Sequence, residues 1–128
     1  MKSTDNQNSS GDPIEAESLL ARCARDRGFL REVLQIFRDQ TTDHLAKLRA
    51  AAAAGDWAET TKVAHALRGS AANFSAVRLS ELCGILEATD GRQSREKLRS
   101  QVDAIADEFK RCVDFFDPLL AKLENQSV

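Results

Sequence analysis

No apolar run in this 128-residue chain approaches the roughly 18 residues that a membrane-spanning helix needs. The first residues, Met1 to Gly11, are polar rather than built like a secretory signal, so the chain is expected in the cytoplasm. Charge of one sign is also lacking: 18 Lys and Arg stand against 20 Asp and Glu, a formal net charge of -2. No global field therefore points to nucleic acid or an anionic membrane surface, and recognition by charge has to be local. Cysteine is scarce. Cys23, Cys83 and Cys112 lie far apart without a CxxC pair, and bridging two would leave the third over. Cys83 shares apolar-face spacing with Leu79, Leu82 and Leu86, and Cys112 with Phe109, Val113 and Phe116, so both read as small buried hydrophobes rather than metal or redox groups.

Strand-type alternation, fixed-period repeats and a sustained heptad are missing too, which removes sheets, solenoids and zippers. What remains is one domain, long enough to bury a core without staples. Met1 to Gly11 is too poor in apolar residues to order itself and is expected to be a disordered leader. Asp12-Pro13-Ile14-Glu15 combines a capping acid, a proline at the first helical position and a glutamate three after the cap, predicting a first helix that runs to about Asp26. Gly28 separates it from a second helix over 29–54, in which Phe29, Val33, Ile36, Phe37, His44, Leu45, Leu48 and Ala52 recur at three- and four-residue steps. Gly55 stops that helix, and Asp56-Trp57-Ala58-Glu59 caps a third beginning at Trp57.

The pattern breaks near Asn73 to Ser75, and Leu79, Leu82, Cys83 and Leu86 then define a short fourth helix ending before Asp90-Gly91. A fifth starts at about Ser94 and carries Leu98, Val102, Ile105, Phe109, Val113, Phe116, Leu119 and Leu123; Pro118 should kink its last turns or end its main part at Asp117. The expected fold is all-α, an antiparallel four-helix bundle with an additional short helix, spanning residues 12–124 and leaving 125–128 as a tail.

The third helix carries the most informative stretch, Ala64-His65-Ala66-Leu67-Arg68-Gly69-Ser70. A glycine inside a helix costs roughly 1 kcal/mol relative to alanine, in a run that uses alanine freely on both sides. With His65 at zero and 100° per residue, Trp57, Thr60, Val63, Ala64, Leu67, Ala71 and Phe74 fall between about 160° and 280°, which makes that arc the buried face. His65 points nearly opposite, among Thr61, Lys62, Arg68, Gly69 and Ala72. A surface histidine is usually no more than a solvated side chain, but small residues and two cations around this one leave room for a partner. His44 is the control: the same rotation puts it in the arc of Phe29, Val33, Phe37 and Leu48, as a partly buried packing residue.

The run from Ala64 to Phe74 resembles the signature of histidine-containing phosphotransfer (HPt) domains. Leu48 to Trp57 and Leu79 to Glu87 also resemble the family at corresponding places, so that the likeness covers roughly residues 14–123. It implies that His65 accepts a phosphoryl group from a receiver-domain aspartate of a response regulator and passes it to another. An imidazole with the ordinary pKa of about 6.5 offers a nucleophilic nitrogen near neutral pH without a dedicated base. Phosphoryl transfer is mostly positioning and charge neutralisation. The resemblance implies that the receiver brings Mg²⁺ and this chain needs no cofactor of its own. Arg68 would neutralise phosphoryl oxygens and Lys62 would add to the field, although the family more often has lysine where Arg68 stands. Gly69 would let receiver loops approach, with Thr61, Lys62, Ala72 and Glu87 in the docking surface; Glu87 stands where relatives can place a polar group that orients the histidine. Ser75 stands where the family usually has glycine, and a turn of different type is expected there.

Two other helical histidine sites fit these residues less well. A sensor-kinase dimerisation helix usually has an acid directly after its histidine, where this chain has Ala66, and no nucleotide-binding lid is present. A carboxylate-bridged metal bundle needs Glu-x-x-His pairs, but Thr41 and Lys62 precede His44 and His65 by three. The alternative left standing is a non-catalytic docking module that binds a signalling partner through the His65 face. The expected chain is a monomeric phosphocarrier without kinase activity, either a free shuttle or a part of a hybrid sensor histidine kinase.

Overall fold

The computed structural model describes residues 11–89 and 93–126. Among the described residues six helices follow one another: α1 (Ala16–Arg22), α2 (Arg27–Ala54), α3 (Trp57–Asn73), α4 (Val77–Ala88), α5 (Arg95–Asp114) and α6 (Phe116–Gln126). Among the described residues there is no strand. α3 packs on α2 and α4, and α5 packs on the same two helices, so the four long elements enclose one core while α6 rests on α2 and α5. Phe37 stands at its centre, fully buried. Its ring centroid lies 4.9 Å from Phe74, 5.8 Å from Phe109 and 6.3 Å from Phe116, tying α2 to the end of α3, to α5 and to α6. Leu48, Leu67, Leu79, Leu86 and Ile105 are fully buried with it, each adding about 1.5–3 kcal/mol of burial.

Local chemistry sets the helix starts. Asp56 caps α3 by accepting from the Glu59 N–H at 3.0 Å, Ser94 caps α5 through Lys97 at 3.1 Å, and Gly55 supplies the left-handed end of α2 at φ 71°. The expected starts at Trp57 and near Ser94 agree with these caps.

The first helix departs from expectation. Asp12 does not cap it; the chain from Gly11 to Glu15 instead crosses the end of α3, with Ile14 fully buried, and the Glu15 N–H donates to the Ser75 carbonyl at 2.9 Å. Burial of Ile14 outweighs the capping signal, and α1 starts only after Glu15. It also stops early, at Arg22, because Ala24 and Arg25 turn left-handed at φ 54°. Asp26 then caps α2 by accepting from the Phe29 N–H at 2.9 Å, so Gly28 lies inside the first turn of α2 rather than between helices. Phe29 and Ile36, expected in the buried stripe, are 49% and 48% exposed. The main C-terminal helix ends at Asp114 rather than Asp117. The Pro118 ring would collide with the carbonyl four residues back, that of Asp114, so the break falls at Phe115 and Pro118 sits in the first turn of α6, where its missing N–H costs nothing. α6 carries on through residues 125 and 126, which were expected as tail. The leader up to Ser10, the Asp90-Gly91 stop and residues 127–128 lie outside the described residues.

The α3–α4 turn is also not of a different type. Ser75 adopts φ 59°, its N–H bonds to the Ala72 carbonyl at 3.0 Å, and the Ala76 N–H reaches back to Ala71 at 2.9 Å. This is the Schellman end that glycine ordinarily serves, built here around a serine. The serine is 4% exposed, and its hydroxyl donates to Ser18 of α1 at 3.1 Å.

Candidate functional site

The buried face of α3, with Thr60, Val63, Ala64, Leu67 and Ala71, turns the opposite face outward as the rotation predicts. His65 projects from it with 65% of its side chain exposed. One partner is fixed: its Nδ1 lies 2.6 Å from Glu87 Oε2 at the end of α4. A carboxylate can only accept, so the proton of this pair sits on Nδ1, and the tautomer it favours has its lone pair at Nε2. Arg68, one turn along α3, sets its Nε 3.2 Å from the other Glu87 oxygen, Oε1. That distance makes an ion pair but not a hydrogen bond, since Oε1 has no donor among the described residues. Glu87 is the most sheltered of the three at 23% exposure. Such half-exposed pairing adds little to stability.

The structure thus brings His65, Arg68 and Glu87 together. Lys62, Gly69 and Ala72 lie exposed on the same face. A Cβ added at Gly69 would meet nothing within 4 Å, so its missing side chain serves no packing need of this chain. Thr61 is half-buried, and its hydroxyl has no partner among the described residues. His44 is half-buried, with no partner for its Nδ1 among the described residues, in keeping with a packing residue.

Two residues of the neighbourhood drew no role from the sequence. Ser80 on α4 donates its hydroxyl to the Arg68 carbonyl at 3.2 Å, and the Arg68 side chain passes over Gly84, where a Cβ would stand 3.3 Å from its Cδ. The signal was the glycine itself, inside a twelve-residue helix, but only the packing shows which side chain uses the space.

Cys83 lies beneath, fully buried. Burial, with some help from Glu87 and against the pull of Arg68, pushes its thiol up to about 12. Cys112 is likewise pushed up to about 12, chiefly by burial, then by Glu108. Cys23, Cys83 and Cys112 are all free and buried, as small hydrophobes should be. Among the described residues no group of three or more His, Cys, Asp and Glu is placed to hold a metal ion, and no helix is long and apolar enough to cross a membrane. A cavity of about 300 Å³ between α2 and α5, lined by Arg49, Ala52, Ala53, Arg95, Arg99 and Val102, contains none of the residues around His65. The site is a projecting side chain on an open surface, suited to a macromolecular partner rather than a small substrate.

No curated relative and no solved structure matches the chain. The family model of the Hpt domain matches residues 32–114, a span that begins in α2 and takes in all of α3, α4 and α5. An exposed imidazole on a bundle helix and a match over more than half the chain agree: the chain belongs to the histidine-containing phosphotransfer (Hpt) domain family, whose members carry phosphoryl groups on histidine in two-component phosphorelays.

Proposed function

We propose that His65 is the phosphoryl carrier, taking the group from a receiver-domain aspartate and handing it to another. The observation that supports this reading is the 2.6 Å contact of Nδ1 with Glu87, which favours the tautomer with its proton on Nδ1 and its lone pair on Nε2. The Nε2 lone pair attacks phosphorus in line. The N–P bond forms as the acyl-phosphate O–P bond breaks, and the leaving electron pair stays on the aspartate carboxylate. The ring then carries a positive charge, which Glu87 offsets through the same Nδ1–H. Arg68 is assigned to the phosphoryl oxygens, with Lys62 adding to the field. Gly69 admits the receiver's loops, with Thr61, Ala72 and Glu87 at the edge of the docking surface. Mg²⁺ is assigned to the receiver. The second transfer runs the same bond changes in the opposite sense.

The four long helices, in this reading, form an antiparallel four-helix bundle whose His65 face stays open in a monomer. The chain acts in the cytoplasm as a phosphocarrier without kinase activity, serving a response regulator and a hybrid sensor histidine kinase, of which it can itself be a part. The test is incubation with a phosphorylated receiver. Acid-labile, base-stable label on the wild type that vanishes in His65→Gln supports the assignment. Tight receiver binding without label across a panel of receivers would replace it with the docking module.

A further inference from the structure

One stripe of α4 meets Arg68 at its backbone carbonyl, its aliphatic stem and its Nε. Ser80 holds its backbone carbonyl at 3.2 Å, Gly84 underlies its aliphatic stem, and Glu87 takes its Nε at 3.2 Å. Positions 80, 84 and 87 are successive steps down one helix face. Of the three, glycine is the costly choice, because an interior helix position favours alanine. The cost has a definite counterpart: a Cβ at Gly84 would stand 3.3 Å from Arg68 Cδ and 3.9 Å from its terminal Nη1, tighter than relaxed carbon contacts allow at the first of these. Gly69 has no such neighbour. The two glycines beside the histidine therefore do different things, one facing out toward a partner and the other inward beneath a side chain.

We infer that Gly84 is a positioning residue, whose missing side chain seats Arg68 so that its guanidinium reaches both Glu87 and a phosphoryl group on His65. The inference rests on the assignment of His65 as the carrier. An arginine needs the seat because its planar, wide head has to lie flat to keep Nε on Glu87 while its terminal nitrogens stay free. A methyl at position 84 lifts the stem by a few tenths of an ångström, and a larger group displaces it. Glu87 then loses its cation and His65 loses the group that meets the phosphoryl charge.

Gly84→Ala and Gly84→Leu, made in the full chain, test this with three readouts. Gly84→Ala should melt a few degrees higher, from better helix propensity, while transfer from a phosphorylated receiver slows about threefold; Gly84→Leu should slow it about tenfold, as expected when a neutralising group is displaced. The Arg68 Nε–H NMR signal should move toward its position in Glu87→Ala in both variants. In an Arg68→Ala background, Gly84→Leu should change the transfer rate no further. Equal slowing in that background, or an unmoved Nε–H signal in Gly84→Leu, overturns the inference. Where Gly84→Leu does not fold, the same signal in Gly84→Ala decides. If the signal moves but His65 takes no label, the carrier assignment fails and the seat beneath Arg68 stands.

Discussion

Glu87 and His65 are 22 residues apart in the chain and 2.6 Å apart in space, joined across the α3–α4 turn by a contact that decides which ring nitrogen keeps the proton. Free imidazole populates both tautomers, so one strong acceptor at Nδ1 biases the ring toward the form with a bare Nε2. Glu87→Ala should shift His65 toward the Nε2–H tautomer, seen as exchanged nitrogen chemical shifts, and slow phosphoryl transfer about tenfold by releasing the ring from its orientation. Glu87→Gln retains an acceptor and should lose less. A tautomer ratio unchanged in Glu87→Ala would remove this carboxylate from the mechanism.

Gly69 is the point where stability and function pull apart. Its position is open, with nothing within 4 Å of an added Cβ, so Gly69→Ala should stabilise the isolated chain by about 0.5–1 kcal/mol through helix propensity alone. On the present assignment the same methyl crowds the receiver's approach, and transfer should fall although the fold improves. Thermal melting and transfer kinetics on one preparation give both numbers. A variant that is more stable and equally fast would show that Gly69 clears space for nothing.

The α3–α4 turn gives a prediction about strain. Ser75 holds φ 59°, which costs a residue with a Cβ roughly 1–2 kcal/mol relative to glycine, while its hydroxyl bond to Ser18 returns about 0.5–1.5 kcal/mol. Ser75→Ala loses the bond and keeps the strain; Ser75→Gly loses the bond and the strain together. Chemical denaturation should therefore rank Gly above Ala at position 75 by about 1 kcal/mol, with Ser75→Gly close to wild type or slightly better. Equal stability of the two variants would mean that the backbone there bears no strain.

The cysteines predict a pH response. In Cys83 and Cys112 burial pushes the thiols from an ordinary 9.0 up to about 12. Below pH 9 both folded and unfolded thiols are protonated and the stabilisation from burying them neutral is fully present. Above 9 the unfolded chain ionises while the folded one does not, so stability is lost progressively toward pH 12. Native protein at pH 8 should resist alkylation of both residues, with labelling following unfolding; replacement of both by alanine should flatten the loss of stability between pH 9 and 12. Rapid native-state labelling at pH 8 would contradict the burial assigned to these thiols.

Much of this architecture is legible in the sequence because it depends on local rules. The Asp56 cap, the Gly55 stop and the outward turn of His65 follow from residue type and a 100° rotation, with no knowledge of the neighbours. The misplacements arise where a distant contact overrules a local signal. Asp12-Pro13 reads as a helix start, but Ile14 is worth more in the core than in a first turn. Gly28 reads as a break, yet Asp26 captures the Phe29 N–H and the helix runs over it. Gly84 carries no message until Arg68 is seen lying on it. Phe29 and Ile36 share the three- and four-residue steps of the buried stripe, but residues on the rim of such an arc can face either way, and both lie about half exposed.

Those two side chains carry the last prediction. Phe29, Ile36 and Gln40 fall within about 40° of one another around α2, and Gln40 accepts a hydrogen bond from Ser70 of α3 at 3.4 Å. The Gln40 end of that stripe therefore meets the α3 residue next to Gly69, and Ile36 and Phe29 continue it along α2 as an exposed apolar margin. Half-exposed rings and branched chains add little to folding where they stand, so Phe29→Ala and Ile36→Ala should each cost under about 1 kcal/mol of stability. If the receiver docks on this face, covering them supplies binding energy, and each substitution should weaken receiver affinity about tenfold. Autonomous phosphorylation of His65 by a small phosphodonor, which requires no docking, should be unchanged. Calorimetric titration with a receiver separates the two effects, and full affinity in the Phe29→Ala, Ile36→Ala double variant would move the docking surface to the α4 side of the histidine.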